Sequence, residues 1–214
     1  MQFFMPKSYN SHMAKIIVVL GPPGSGKSTL SERFANLSGN ELVVFHISAG
    51  NCLRDIRTGV RNSVFEPIIN SSNASSPLRH EVVNGVIFES ISRYPENSLV
   101  IVDGYPMFPD AIEHFLTAID KGNHTLLGCI SLEISLENSR QRLSARGRRN
   151  GERIVCESDS EFAERRYRDY LDYTKNAIEK LGKIIPVIDI NAESNLDEVY
   201  DAYNNAIMEL ISKI

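Results

Sequence analysis

Gly21-Pro22-Pro23-Gly24-Ser25-Gly26-Lys27-Ser28-Thr29 has the form G-x-x-x-x-G-K-[ST], the P-loop. Backbone N–H groups of such a turn converge on phosphate oxygens, and only residues with little or no side chain let the backbone approach that closely. Lys27 is placed to reach the β- and γ-phosphates, and the Ser28 hydroxyl to bind Mg²⁺. The flanks agree. Lys15-Ile16-Ile17-Val18-Val19-Leu20 is a continuous apolar run, the pattern of a strand buried on both faces. Behind the loop, Leu30, Phe34 and Leu37 recur at helical spacing. The whole segment from Gly21 to Thr29, including Pro22, Pro23, Gly24, Ser25 and Gly26, is therefore the candidate triphosphate cradle.

The chain has 214 residues, enough for one domain with a substantial core. It is 42% hydrophobic and 23% charged, with a net charge of −4, so nothing in its bulk favours a nucleic-acid or membrane partner. Cys52, Cys129 and Cys156 are odd in number and form no C-x-x-C, which suits reduced thiols and argues against a disulfide framework or a zinc site. A cytoplasmic compartment is the resulting expectation, and a monomer is expected beside it. No apolar run approaches the ~18 residues of a membrane span. Residues 1–12 read as an extension ahead of a domain covering 13–214.

Apolar β-rich runs alternate with helix-period segments, which predicts α/β architecture around a five-stranded parallel sheet with helices on both faces. Strands are expected at 15–20, 42–47, 98–102, 126–133 and 184–190. Helices are expected at 27–38, 50–58, 61–70, 78–92, 108–120, 136–146, 159–180 and 194–212. Ser158-Asp159-Ser160-Glu161 and Ser194-Asn195-Leu196-Asp197 have capping-box spacing at the last two helix starts. Residues 71–77 read as a polar loop.

Leu99-Val100-Ile101-Val102-Asp103-Gly104 is an apolar strand ending in an acid. Beside a P-loop such an aspartate holds the Mg²⁺ shell together with the loop hydroxyl; without one it reads as a turn-forming Asp-Gly. Residues 140–153 hold six arginines, Arg140, Arg142, Arg146, Arg148, Arg149 and Arg153, against the single acid Glu152. Phosphoryl transfer needs such donors, because negative charge is spread over the oxygens of the moving group. Arg142 and Arg146 are four apart and share a helix face. The competing reading is a solvated basic helix end, which suits the helix dipole. A nucleic-acid patch fits less well, since aromatics are not interleaved.

In combination these segments resemble the nucleoside monophosphate kinases of the adenylate kinase and UMP-CMP kinase family, from about Lys15 to the C-terminus. The carrying motifs are the P-loop, the I-S-A-G-x-x-L-R run from Ile47 to Arg54, the D-G-Y-P run from Asp103 to Pro106, the R-x-L-x-x-R-G run from Arg142 to Gly147, and Arg166 with Tyr170. The resemblance implies a P-loop three-layer fold with a small acceptor-binding helical insert over about 48–92 and a short lid over about 147–157. It implies ATP as co-substrate, Mg²⁺ as cofactor through Ser28 and Asp103, and small nucleotides as partners. Lys27, Arg142, Arg146, Arg153 and Arg166 fall where catalytic residues lie, with Arg142 and Arg146 also on ATP. Ser48, Ala49, Gly50, Arg54, Gly104, Asp110, Arg153 and Arg166 fall on the acceptor side. Ala49 resembles UMP-CMP kinases, where adenylate kinases tend to carry Thr.

The departures fall mainly on the acceptor side. Met107 stands where the family has an arginine on the acceptor phosphate, and Ile154-Val155-Cys156 replace the acidic pattern of the lid. Arg57 and Arg61 are candidate substitutes, spaced with Arg54 along one helical stripe. The expected activity is transfer of the γ-phosphoryl group of ATP to a nucleoside monophosphate. Two alternatives stay open: a P-loop kinase of another small acceptor, and a regulatory nucleotide-binding protein with low turnover.

Overall fold

The structure is a computed structural model and describes residues 13–38, 42–72, 78–146 and 158–213. Five strands, β1 (Lys15–Leu20), β2 (Val44–Ser48), β3 (Leu99–Asp103), β4 (Thr125–Glu133) and β5 (Val187–Asn191), form one parallel sheet in the order β2-β3-β1-β4-β5. Side chains alternate across a strand, so the central strands feed two cores at once. Ile16, Val18, Leu20, Val100 and Val102 face one core, and Ile17, Val19, Leu99 and Ile101 face the other.

The first core is closed by α2 (Ala49–Arg57), α4 (His80–Ile91) and α5 (Ala111–Lys121). It is also covered by the long helix that starts as α7 (Asp159–Asp169), passes through a π-helical turn at Tyr170–Thr174 and continues as α8 (Lys175–Leu181). The second core is closed by α1 (Lys27–Leu37), through Leu30 and Phe34, and by α9 (Leu196–Ser212). The short α3 (Glu66–Ser71) joins α2 to α4, and α6 (Leu136–Arg146) follows β4. The helices on the two faces make the three-layer arrangement expected from the sequence.

One expected helix differs. The helix expected over 61–70 is only Glu66–Ser71, because Pro67 is compatible with the first turn of a helix but not with its interior. The helix before it ends at Arg57. Gly59 has φ +73°, its N–H donates to Ile56 O, and Val60 N–H donates to Asp55 O. That pair of bonds is a Schellman stop, which needs a residue in the left-handed region. Arg61 therefore leaves the stripe it was expected to share with Arg54 and Arg57.

Candidate active site

The P-loop passes from the end of β1 into α1. Gly21 has φ +148°, and a Cβ there would lie 2.5 Å from Leu132 O. Any side chain at this position collides with the β4 backbone, so glycine is required for β1 to hand over to the loop. Helix α6 braces the other side, since Ser139 Oγ donates to Pro23 O at 2.7 Å. Lys27 Nζ donates to Gly21 O at 2.9 Å and Pro22 O at 2.8 Å, which folds the ammonium over the loop.

Helices α3, α4 and α5 lack a side-chain cap but carry Glu66, Glu81 and Glu113 in their first turns, whereas α1 has neither a cap nor an acid. Ser48 caps α2, Ser158 forms a full capping box on α7, and Asn195 accepts from the N–H groups of Asp197 and Glu198 on α9. Gly26, at the same position of α1, supplies no side-chain cap, and no acid stands in the first turn. The N–H groups and the positive dipole end are thus directed toward an outside anion.

Asp103 ends β3 beside β1 and is 3% exposed. Its Oδ2 accepts from Ser28 Oγ at 2.6 Å. His46 Nε2 lies 3.4 Å from the same oxygen, within ion-pair range but outside hydrogen-bond geometry, and has no hydrogen-bond partner among the described residues. Burial alone raises the Asp103 carboxyl. His46, Lys27 and Ser28 outweigh it, and the pKa falls below the ordinary carboxylate value. Asp103 is consequently held as an anion. A buried carboxylate touching a hydroxyl is a hard-oxygen pair that suits Mg²⁺. Among the described residues no cluster of three or more acidic, cysteine or histidine side chains forms a metal site.

A single cavity of about 910 Å³ runs from this loop across the C-terminal end of the sheet. Its walls take Gly21 and Pro23 to Thr29 from the loop, Asp103 and Gly104 from β3 and its turn, and Ser48, Ala49, Gly50 and Arg54 from β2 and α2. Arg142 and Arg146 enter from α6, and Arg166 from α7. Arg142 Nη2 donates to Ala192 O at 2.8 Å and its Nη1 reaches Gly24 O at 3.5 Å, so it ties the P-loop to the turn after β5. Gly50 gives Arg54 its room: a Cβ there would stand 3.3 Å from Arg54 Nη1.

Two residues expected at the site do not line the cavity. Pro22 contributes its carbonyl to Lys27 instead. Asp110 is exposed, and its carboxylate lies 3.2 Å from Nε2 of His80, which does line the cavity. Of the two arginines expected as substitutes on the acceptor side, Arg57 lines the cavity and donates to Ser72 Oγ at 3.2 Å, whereas Arg61 does not line it and donates to Ser90 Oγ and, at 3.3 Å, to Cys52 Sγ. Arg140 is likewise turned away, onto Glu164. Arg148, Arg149 and Arg153, and the whole segment 147–157 read as a lid, lie outside the described residues, as does the extension 1–12.

Sequence reading missed several participants. His46 reaches Asp103 only because β2 pairs with β3 in the register His46 to Ile101, and no local signal marks that. Arg165 joins Arg166 at the cavity through two neighbouring positions of α7. Ser194, Asn195 and Leu196 complete the wall near Arg142. The spacing places the capping box at Ser194, whereas Asn195 caps α9, and nothing local marks that this turn reaches the cavity.

With this geometry in view, likeness to known proteins is informative. The family model described as an AAA domain matches residues 20–160, from the P-loop to the beginning of α7. Adenylate kinase 1 of Schistosoma mansoni is 28% identical over 198 residues, covering 92% of this chain and 94% of that protein. The adenylate kinase of Nautilia profundicola is 26% identical over 202 residues, covering 92% and 98%. The UMP-CMP kinase of Lentinula edodes is 26% identical over 208 residues, covering 92% and 87%. The chain belongs to the AAA-domain family of P-loop proteins, as a divergent member alongside the adenylate and UMP-CMP kinases. No described helix is long and apolar enough to cross a membrane.

Proposed function

We propose that this protein transfers the γ-phosphoryl group of ATP to a nucleoside monophosphate. The observation that carries the reading is the shared cavity. One continuous space is lined by a complete P-loop with Asp103, by the Ser48–Arg54 segment, and by arginines of α6 and α7. A protein that only bound nucleotide would not need so many guanidinium groups on one space.

The chemistry asks the protein for position and charge. The acceptor's phosphate oxygen attacks the γ-phosphorus as the bond to the β–γ bridging oxygen breaks, and two diphosphates result. No side-chain nucleophile is needed. The P-loop N–H groups and Lys27 hold the donor's phosphates, and Ser28 and Asp103 would hold Mg²⁺, which when bound neutralises charge on the phosphate oxygens. Arg142, Arg146 and Arg166 supply donors for the charge that spreads over the equatorial oxygens in transit. Arg54 and Arg57 would grip the acceptor's phosphate, with Ser48, Ala49, Gly50 and Gly104 shaping its seat. The same proposal assigns 147–157, with Arg153, as the segment that shuts water out.

Met107 on the cavity wall favours a second reading, a P-loop kinase of another small acceptor. A coupled assay of diphosphate formation from ATP with AMP, CMP, UMP, GMP and dTMP separates the two. Turnover with at least one supports the nucleotide reading, and turnover with none excludes it.

A further inference from the structure

The acceptor end of the cavity holds two rings with no assigned role, His80 and Phe108. His80 opens α4 and is fixed at both ends. Tyr105 Oη donates to its backbone carbonyl at 3.4 Å, and Nε2 faces the Asp110 carboxylate at 3.2 Å. Phe108 is braced by Tyr173, with ring centroids 5.3 Å apart, and stands 5.9 Å from the His80 ring. Around them the wall is apolar, with Leu53, Leu78 and Met107. A planar heterocycle fits a wall of this kind: Phe108 offers a face to stack on, and His80 offers the polar atom that distinguishes one ring from another.

We propose that His80 is the specificity-determining residue for the acceptor's base, selecting an amino-bearing base over a keto base; this rests on the nucleoside monophosphate reading. The argument is one of tautomers. A carboxylate accepts but does not donate, so Asp110 draws the ring proton to Nε2. In the tautomer that donates from Nε2, Nδ1 keeps its lone pair and accepts a hydrogen bond. Cytosine and adenine carry an exocyclic amine that donates, whereas uracil, thymine and guanine carry a carbonyl oxygen at the equivalent position, which only accepts. Two acceptors facing each other repel, and a buried acceptor left without a donor is costly. Asp110 acts here as a positioning residue that sets the tautomer.

The cleanest test compares CMP with UMP, whose bases differ by amine against carbonyl at C4 and, beside it, by a bare N3 against an N3–H. The wild-type protein is expected to prefer CMP in kcat/KM by about tenfold or more, the value of one well-placed hydrogen bond. His80→Leu should bring the ratio near one by raising the KM for CMP, leaving the KM for ATP and kcat at saturating acceptor within about twofold. His80→Asn, whose side-chain carbonyl also accepts, should restore part of the preference. Asp110→Ala frees the tautomer and should shrink the ratio without removing activity. A merely structural His80 would instead move the ATP KM, or all acceptors alike. That result, or a CMP to UMP ratio unchanged in His80→Leu, overturns the assignment while leaving the kinase reading intact. Phosphorylation of none of the monophosphates overturns both.

Discussion

Ser28 and Asp103, 75 positions apart, meet in a 2.6 Å hydrogen bond from Ser28 Oγ to Asp103 Oδ2. The bond joins the first turn of α1 to the end of β3 and sets a hydroxyl beside a buried anion at the mouth of the P-loop. Asp103→Asn keeps the shape and an oxygen that accepts from Ser28, but removes the charge. The expected result is a fall in kcat on the order of a hundredfold, with an increased Mg²⁺ requirement and an unchanged circular dichroism spectrum. Steady-state kinetics across a Mg²⁺ series measures this. Turnover within a few-fold of wild type would remove Asp103 from the metal's neighbourhood.

Arg142 is bonded to Ala192 O and reaches toward Gly24 O. Lysine keeps the charge at this position but loses the planar fork that makes two directed contacts. Arg142→Lys should lower kcat by tenfold or more while changing the KM for ATP by less than about threefold. A loss confined to the KM for ATP would make Arg142 a contact of the ground state.

How the chain was legible follows from distance along it. The P-loop, β1 and α1 are contiguous, so their spacing alone announces them. The apolar run ending in Asp103 was equally plain, because a strand buried on both faces has no polar alternation to obscure it. Contacts made by register were not readable. His46 meets Asp103 across a strand pair, and Asp110 faces His80 across two helix starts. Arg61 shows a different failure. Helical spacing from Arg54 suggested a continuous stripe, but the Thr58-Gly59 stop ended the helix and redirected Arg61 toward Ser90.

That redirection separates Arg57 from Arg61 as candidate contacts of the acceptor's phosphate. Arg57→Ala should raise the acceptor KM about tenfold, as loss of a charged hydrogen bond would. Arg61→Ala should leave that KM unchanged and lower stability by ~1 kcal/mol, read by denaturant unfolding. Met107→Arg should lower the KM for at least one monophosphate. Equal effects of the two alanine variants on KM would refute the division.

Tyr170 lines the cavity at the π-helical turn, and burial first, then Glu133, pushes its pKa up to about 12. The folded state thus favours the neutral phenol. Its contribution to stability is full below the unfolded value near 10 and is lost as pH rises through about 12. Unfolding free energy should fall over that window, and less steeply in Tyr170→Phe. Tyr105 and Tyr203 are raised in the same direction and keep part of the slope. Identical slopes in the variant and wild type would show that Tyr170 ionises normally.

The most direct measurement follows the phosphoryl group itself. The protein is mixed with Mg²⁺, ATP labelled at the γ-phosphorus, and each of AMP, CMP, UMP, GMP and dTMP in turn, and the products are separated. The predicted result is label in the β-phosphate of at least one acceptor diphosphate, formed in equal amount with ADP, and slowed by roughly 10²- to 10³-fold in Lys27→Ala. Label released only as inorganic phosphate, or retained in ATP with all five acceptors, would contradict the assignment of this cavity to nucleoside monophosphate phosphorylation.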